Sequence, residues 1–251
     1  MRLGFSDAKE GSRLFLNLLG PPRDRWRRPQ EIYLRLLEPL GVRADSGRFG
    51  MLFPVGEADR AWAAGLLRRH GLGAGEFVAL GPGTRVELKL WPARRWAELA
   101  RRLWEGFGLP SVIVGSRADL PLAEAIARGA GGAVAAVAAG GASLKRSAAL
   151  IEAARLYIGV DSGPLFISMA VGTPAVGIFG PTRFDFLREE PLATVVSKQG
   201  RFPCAPCKRH PRCEPGREGA RPCMEAVSVE DVLRAAEGRL RGADGPQGAP
   251  R

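Results

Sequence analysis

The chain has 251 residues, 45% hydrophobic and 25% charged, with 33 Gly and 20 Pro. That balance belongs to a globular protein and excludes a disordered tail, a collagen-like repeat or a disulfide-stapled miniprotein. The net charge of +11 comes almost wholly from Arg, since only five of the 37 basic residues are Lys; it suits an anionic partner such as membrane lipid, nucleic acid or a phosphorylated substrate.

No apolar run approaches the ~18–20 residues of a membrane span. The longest, Gly131–Gly141, is short and built of Ala, Gly and Val, and the opening Met1–Phe5 has no long apolar stretch of the secretory kind. A cytoplasmic protein is expected.

In chain order, residues 1–73 mix short elements and form the first predicted domain. Strand-like runs at Arg2–Phe5 and Arg13–Leu18 precede a Pro/Arg-rich loop, Pro21–Pro29. A helix is expected at Gln30–Leu40, stopped by Gly41, and another at Glu57–His70.

From residue 74 to 200 the pattern is regular and predicts a second domain. Apolar runs at Phe77–Leu80, Ser111–Val114, Ala133–Val137, Leu156–Val160, Ala175–Phe179 and Ala193–Ser197 alternate with helical periodicity. Trp96, Leu99, Ala100, Leu103 and Trp104 fall on one helical stripe, Leu122, Ala123 and Ile126 on a second, and Leu150, Ile151 and Ala154 on a third. Such alternation gives an α/β fold with a doubly wound parallel sheet covered on both faces. Its ligands bind beyond the carboxyl ends of the strands, which points to the loops after Leu80, Val160 and Phe179. A Cys-rich loop over 201–225 follows. Ser228–Asp231 reads as a capping box opening a final helix over 226–241, with Val232, Leu233, Ala236 and Leu240 on one face and a frayed tail over 242–251.

Three loops could carry chemistry. Gly81-Pro82-Gly83-Thr84 follows a strand and precedes Lys89; glycine lets amide groups approach a phosphate, Thr84 adds a hydroxyl and Lys89 a charge. A tight structural turn explains the same residues. Asp161-Ser162-Gly163-Pro164 lies between a strand and a helix, where Asp161 or Ser162 would cap the helix and its amide end would attract an anion. Capping alone is the alternative. Gly180-Pro181-Thr182 follows the next strand.

The four cysteines, Cys204, Cys207, Cys213 and Cys223, all lie in the Cys-rich loop. Their order is compatible with a structural zinc with every position filled, and equally with free thiols or oxidisable pairs. Lys208, Arg209, Arg212, Arg217 and Arg221 would offset the charge of a four-thiolate site, and His210 reads as a surface residue. Few aromatics stand among these basic residues, so nucleic acid is not the expected partner.

Taken together, Gly81–Pro92, the Gly-Val-Asp-Ser-Gly-Pro core within Leu150–Gly172, Phe179–Thr182 and the Cys204–Met224 segment resemble glycosyltransferase family 9, the ADP-heptose:lipopolysaccharide heptosyltransferases. Gly4–Asn17 with Tyr33–Gly41 resembles the latter part of that family's N-terminal domain. The resemblance implies a GT-B-like fold, here with a partial N-terminal Rossmann-like domain on the acceptor side. It implies inverting, metal-independent transfer of a heptose-like sugar from a nucleotide-diphosphate donor to a lipid-linked saccharide at the inner membrane. Gly83, Thr84, Lys89, Asp161, Ser162, Gly163, Pro164 and Thr182 would bind the donor. Oriented amides and Lys89 would stabilise the departing diphosphate, and the chain contains no Asp-x-Asp of the metal-dependent kind.

Two departures stand out. Phe166 occupies the place where the family has His, so one hydrogen-bond donor to the sugar nucleotide is missing. No stretch matches the family's early Gly-containing loop and its Asp base, so no residue here takes the catalytic-base role, and Asp7 is not assigned it. The alternative is a catalytically impaired nucleotide-sugar-binding module, or a subunit that depends on a partner.

Overall fold

The computed structural model describes residues 1–7, 11–23, 29–42, 51–188, 190–207, 213 and 221–242. Lys208, Arg209, His210, Arg212, Arg217 and the tail from 243 onward lie outside the described residues.

The chain divides into two compact units, Met1–Met51 with Asp185–Glu189, and Leu52–Phe184 with Glu190–Arg251. In the first, β1 (Leu3–Phe5) pairs in parallel with β2 (Leu18–Gly20), and α1 spans Pro29–Arg35. The expected strand at Arg13–Leu18 is mostly a 3-10 turn, Ser12–Phe15, and pairing begins only at Leu18. Leu14 and Phe15 are exposed, so their apolar character does not mark a strand buried in a core. The expected helix through Leu40 breaks after Arg35 into a short 3-10 turn, Glu38–Leu40, which ends at Gly41 in the left-handed conformation.

The second unit holds α2 (Glu57–Arg69) and a six-stranded parallel sheet. The expected domain boundary at residue 73 therefore falls inside this unit. The physical reason is that α2 packs on α5 (Leu144–Glu152), where Arg60 forks onto Glu152 at 2.7 and 2.8 Å.

The strands are β3 (Val78–Gly81), β4 (Ser111–Ile113), β5 (Val134–Val137), β6 (Leu156–Val160), β7 (Ala175–Phe179) and β8 (Ala193–Ser197). Their spatial order is β5-β4-β3-β6-β7-β8. The chain builds outward from β3 to one edge, then crosses back to place β6 on the other side of β3. The switch point between β3 and β6 is where a doubly wound sheet opens a crevice for ligands.

One face carries the large apolar side chains, Val78, Leu80, Ile113, Ile158, Val160, Val176 and Ile178. Against it pack α3 (Ala93–Phe107), α4 (Leu120–Gly129) and α8 (Val229–Gly242), the last preceded by the single turn α7 (Pro222–Glu225). In α3, Trp96, Leu99, Ala100 and Leu103 are fully buried, but Trp104 is 45% exposed. At 100° per residue, Trp104 lies about 80° around the helix from Trp96, at the margin of the apolar stripe. Trp91 meets Trp96 edge to face at 5.1 Å and donates its indole N–H to Val227 O at 2.9 Å. The Ser228 capping box is present: Ser228 N and Oγ donate to Asp231, whose own N–H returns a bond to Ser228 Oγ.

The other face mixes small residues, Ala79, Gly81, Gly159, Ala175 and Gly177, with the rings of Tyr157 and Phe179. Gly177 has no room for a side chain: a Cβ would lie 2.9 Å from Leu165 of α6 (Gly163–Ala170) and 2.8 Å from the Phe179 ring. The absence of side chains there lets α6 settle close to the sheet. Among the described residues, no helix is long and apolar enough to cross a membrane.

Candidate functional site

The carboxyl ends of β3 and β6 open into a cavity of about 740 Å³ lined by Gly83, Thr84, Lys89, Asp161, Ser162, Gly163 and Pro164, all residues expected from sequence. Residues on the loops after β4 (Gly115, Ser116, Arg117, Asp119) and after β5 (Gly140, Ala142) complete the wall. Those two loops were not singled out from sequence. The rule that found the others applies to them too, because β4 lies next to β3 and the crevice runs along the whole carboxyl edge.

Lys89 ends a 3-10 turn, Glu87–Lys89, that aims its ammonium across the crevice. It donates to Asp161 Oδ2 at 2.7 Å and to Asp161 O at 3.3 Å. The ion pair is largely covered, with side chains 19% and 13% exposed. Thr182 Oγ1 donates to the same carboxylate oxygen at 2.6 Å. The Asp161 carboxylate thus ties together the loops after β3, β6 and β7, and it is not the helix cap.

Ser162 holds the N-cap position of α6 in an extended conformation, with no capping bond from its side chain. Pro164 has no N–H, and the Leu165 N–H goes to Ser162 O, so Gly163 carries an amide with no partner inside the helix. Open space stands over that position, since a Cβ on Gly163 would meet nothing within 4 Å.

Two of the expected donor residues also have structural partners. Thr182 does not line the cavity; its hydroxyl proton is spent on Asp161, which places it behind the site. Gly83 lacks a side chain for a packing reason, because a Cβ there would lie 2.2 Å from Asp119 Cγ. That carboxylate closes the β4 loop against the β3 loop while accepting from Ser116 N and Oγ, each at 2.7 Å. Thr84 Oγ1 accepts from Val86 N at 3.3 Å, leaving its proton available to the cavity. Arg85 and Arg117 are exposed at the rim.

The third loop is braced from behind. Gln199 donates to Gly180 O at 2.7 Å and also to Thr182 O, and Cys207 N donates to Pro181 O at 2.6 Å. Arg221 donates to Glu87 O at 2.9 Å, so the Cys-rich segment touches the first loop as well.

Cys204, Cys207 and Cys213 are half-buried and Cys223 is buried; all four are free thiols. Burial, with Cys213 and Cys204 nearby, pushes the Cys223 thiol up to about 11. Cys213 is raised by burial and by Cys207 and Cys204. The four sulfurs are therefore electrostatic neighbours, yet no three metal-ligating side chains converge as a ligand set among the described residues.

In the first unit, Asp7 accepts from the Arg23 amide and guanidinium, each at 3.2 Å. It is an ion-paired carboxylate rather than a free base.

Comparison with known proteins agrees with this architecture. The chain is 27% identical over 219 residues to lipopolysaccharide heptosyltransferase 3 of Escherichia coli K12, covering 86% of this chain and 59% of that protein. A second Escherichia coli lipopolysaccharide heptosyltransferase 3 is 29% identical over 160 residues, covering 63% of this chain and 46% of that one. The chain thus spans roughly half the length of these relatives. The crystal structure of a family 9 glycosyltransferase from Veillonella parvula superposes with a TM-score of 0.76 at 27% identity, covering 92% of this chain and 65% of that one. The profile of glycosyltransferase family 9 (heptosyltransferase) matches residues 57–216, which include the whole β3–β6 crevice. With more than half of its length matched and the doubly wound sheet in place, the chain belongs to glycosyltransferase family 9.

Proposed function

We propose that this chain forms the donor side of a heptosyltransferase, moving a heptose-like sugar from a nucleotide-diphosphate donor, ADP-heptose, to a lipopolysaccharide core-type acceptor. One observation carries the reading. Lys89, the Thr84 hydroxyl and the Gly163 amide, which has no partner inside its helix, meet in one cavity at the β3/β6 switch point. The names of the two relatives support heptose and lipopolysaccharide as the sugar and acceptor.

The chemistry follows from charge. When the anomeric carbon–oxygen bond breaks, negative charge develops on the diphosphate. A lysine and a helix amide end held in a covered site stabilise it without reorganising. Asp161 is paired with Lys89 in this structure. A diphosphate competes with that carboxylate for the ammonium and leaves Thr182 to hold Asp161. Attack by the acceptor hydroxyl from the opposite face inverts the centre and passes its proton to a base, a role assigned to none of the residues named here. In this reading Lys89 and the helix start do the work that a divalent cation does elsewhere, so the transfer proceeds in the presence of a chelator. The protein works in the cytoplasm, in peripheral contact with the inner membrane through its Arg-rich surface. Metal content of the purified protein separates the two readings of Cys204, Cys207, Cys213 and Cys223: about one zinc per chain, lost with thiol modification, identifies a structural zinc, and four freely titrating thiols identify reduced cysteines.

Purified protein is mixed with ADP-heptose and a deacylated lipopolysaccharide core, with ADP release followed in EDTA. Release that depends on the acceptor is expected. ADP binding without turnover would instead support a nucleotide-sugar-binding module, and absence of ADP binding would remove the donor site.

A further inference from the structure

Tyr157 is fully buried, yet its hydroxyl has no hydrogen-bond partner of normal length and angle among the described residues. The same is true of the Ser162 hydroxyl, whose oxygen is also buried. A hydroxyl withdrawn from water without a partner is costly, and a phenylalanine would fill the same space without that cost.

The geometry shows where the phenol goes. Tyr157 pairs with Ala79 across β6 and β3, but its hydroxyl lies against Gly81 and Gly159, each two positions further toward the carboxyl edge. A Cβ on Gly81 would stand 1.9 Å from that oxygen, and one on Gly159 2.3 Å from it. Two glycines, paired in register on neighbouring strands, form a slot through which the ring leans up along the sheet. At the top of that slot is the donor crevice. Ser162 and Asp119 line the crevice above that slot; burial raises the phenol's proton affinity, while the Ser162 hydroxyl lowers it and the Asp119 carboxylate raises it.

We infer that Tyr157 is a positioning residue of the donor site, donating its phenol proton to Ser162 Oγ and thereby turning the Ser162 proton outward to a phosphate oxygen. This rests on the donor-site reading above. A hydroxyl has one proton and two acceptor positions. With the phenol supplying one acceptor bond from beneath, the serine proton is left to turn toward the cavity that Ser162 lines. Both hydroxyl oxygens are buried without a partner among the described residues. A bound diphosphate completes the chain phenol–serine–phosphate.

The test is titration calorimetry of Tyr157→Phe, Ser162→Ala and the double variant with ADP and with adenosine, alongside thermal melts. Tyr157→Phe should weaken ADP about five-fold, the value of one ordinary hydrogen bond, and leave adenosine unchanged. In the Ser162→Ala background the further change should vanish, because the phenol acts only through that oxygen. Equal ADP affinity in Tyr157→Phe and the parent chain would overturn the inference. So would effects that multiply in the double variant, or an equal loss for adenosine. Ser162→Ala probes the same bond from its other end should the tyrosine variant fold poorly. A parent chain that binds no ADP refutes the donor-site reading itself, whereas ADP binding indifferent to Tyr157 refutes this inference alone.

Discussion

Replacing Lys89 by Ala puts the donor-site assignment under the most direct strain. The ammonium sits 2.7 Å from Asp161 Oδ2 and is 19% exposed, so it is neither a surface charge nor a fully buried one. A hydrogen bond to a charged group in such a setting contributes about 1.5–3 kcal/mol, or roughly ten- to a hundred-fold in affinity. Lys89→Ala also leaves the Asp161 carboxylate, 13% exposed, with Thr182 as its remaining side-chain partner and directly beside the incoming phosphates. ADP affinity should therefore fall by the full ten- to hundred-fold. Adding Asp161→Asn to Lys89→Ala should restore part of it, because the repelling carboxylate is gone. Calorimetry with ADP at low and moderate salt measures both effects. Unchanged affinity in Lys89→Ala, or a further loss in the double variant, would show that the phosphates do not sit at this ion pair.

Two other predictions concern the scaffold. Burial works against the charged form of Asp231, but hydrogen bonds from Lys198 and then from the Ser228 side chain and amide bring the carboxyl from 3.8 down to about 2. Its stabilisation is complete above pH ~4 and disappears as the pH falls toward 2; discounted for screening at 18% exposure, it is about 1–2 kcal/mol. Denaturant melts at pH 6 and pH 2 should show that loss relative to Asp231→Asn, and parallel pH profiles would contradict it. Gly159→Ala forces a methyl to within 2.3 Å of the Tyr157 oxygen and 2.6 Å of its ring carbons, a fixed side chain in a fully buried place. It should cost about 1–3 kcal/mol in urea denaturation, partly recovered by Tyr157→Leu, and wild-type stability would refute the slot.

Much of the second unit could be read directly from the chain, for a physical reason. A strand covered on both faces must be continuously apolar, so Leu156–Val160 and Ala175–Phe179, buried at every position, carry their bounds in their composition. The first unit resists such reading. β1 and β2 are three-residue strands, the first half-buried and the second with Leu19 exposed, and nothing local distinguishes Leu18–Gly20 from the turn before it. At the site, sequence identified the loops but not their division of labour. Asp161 and Lys89 are 72 residues apart, and only the fold shows that one neutralises the other. Asp119 was missed because its loop has no Gly-Pro punctuation, and Tyr157 because a tyrosine inside an apolar strand looks like packing until the glycines beside it are placed in register.

The attachment of α8 has a consequence for how the protein is made. Trp91, near the start of the sheet unit, completes its hydrogen bond only with Val227, and Arg95 donates to the carbonyls of Glu225 and Val227 at 2.5 and 2.6 Å. The sheet face that receives α8 stays uncovered on the ribosome until these late residues have been synthesised. A nascent chain stalled before Val227 therefore displays bare hydrophobic surface, which makes this stage of translation the one at which chaperone capture and proteolysis compete most strongly with folding.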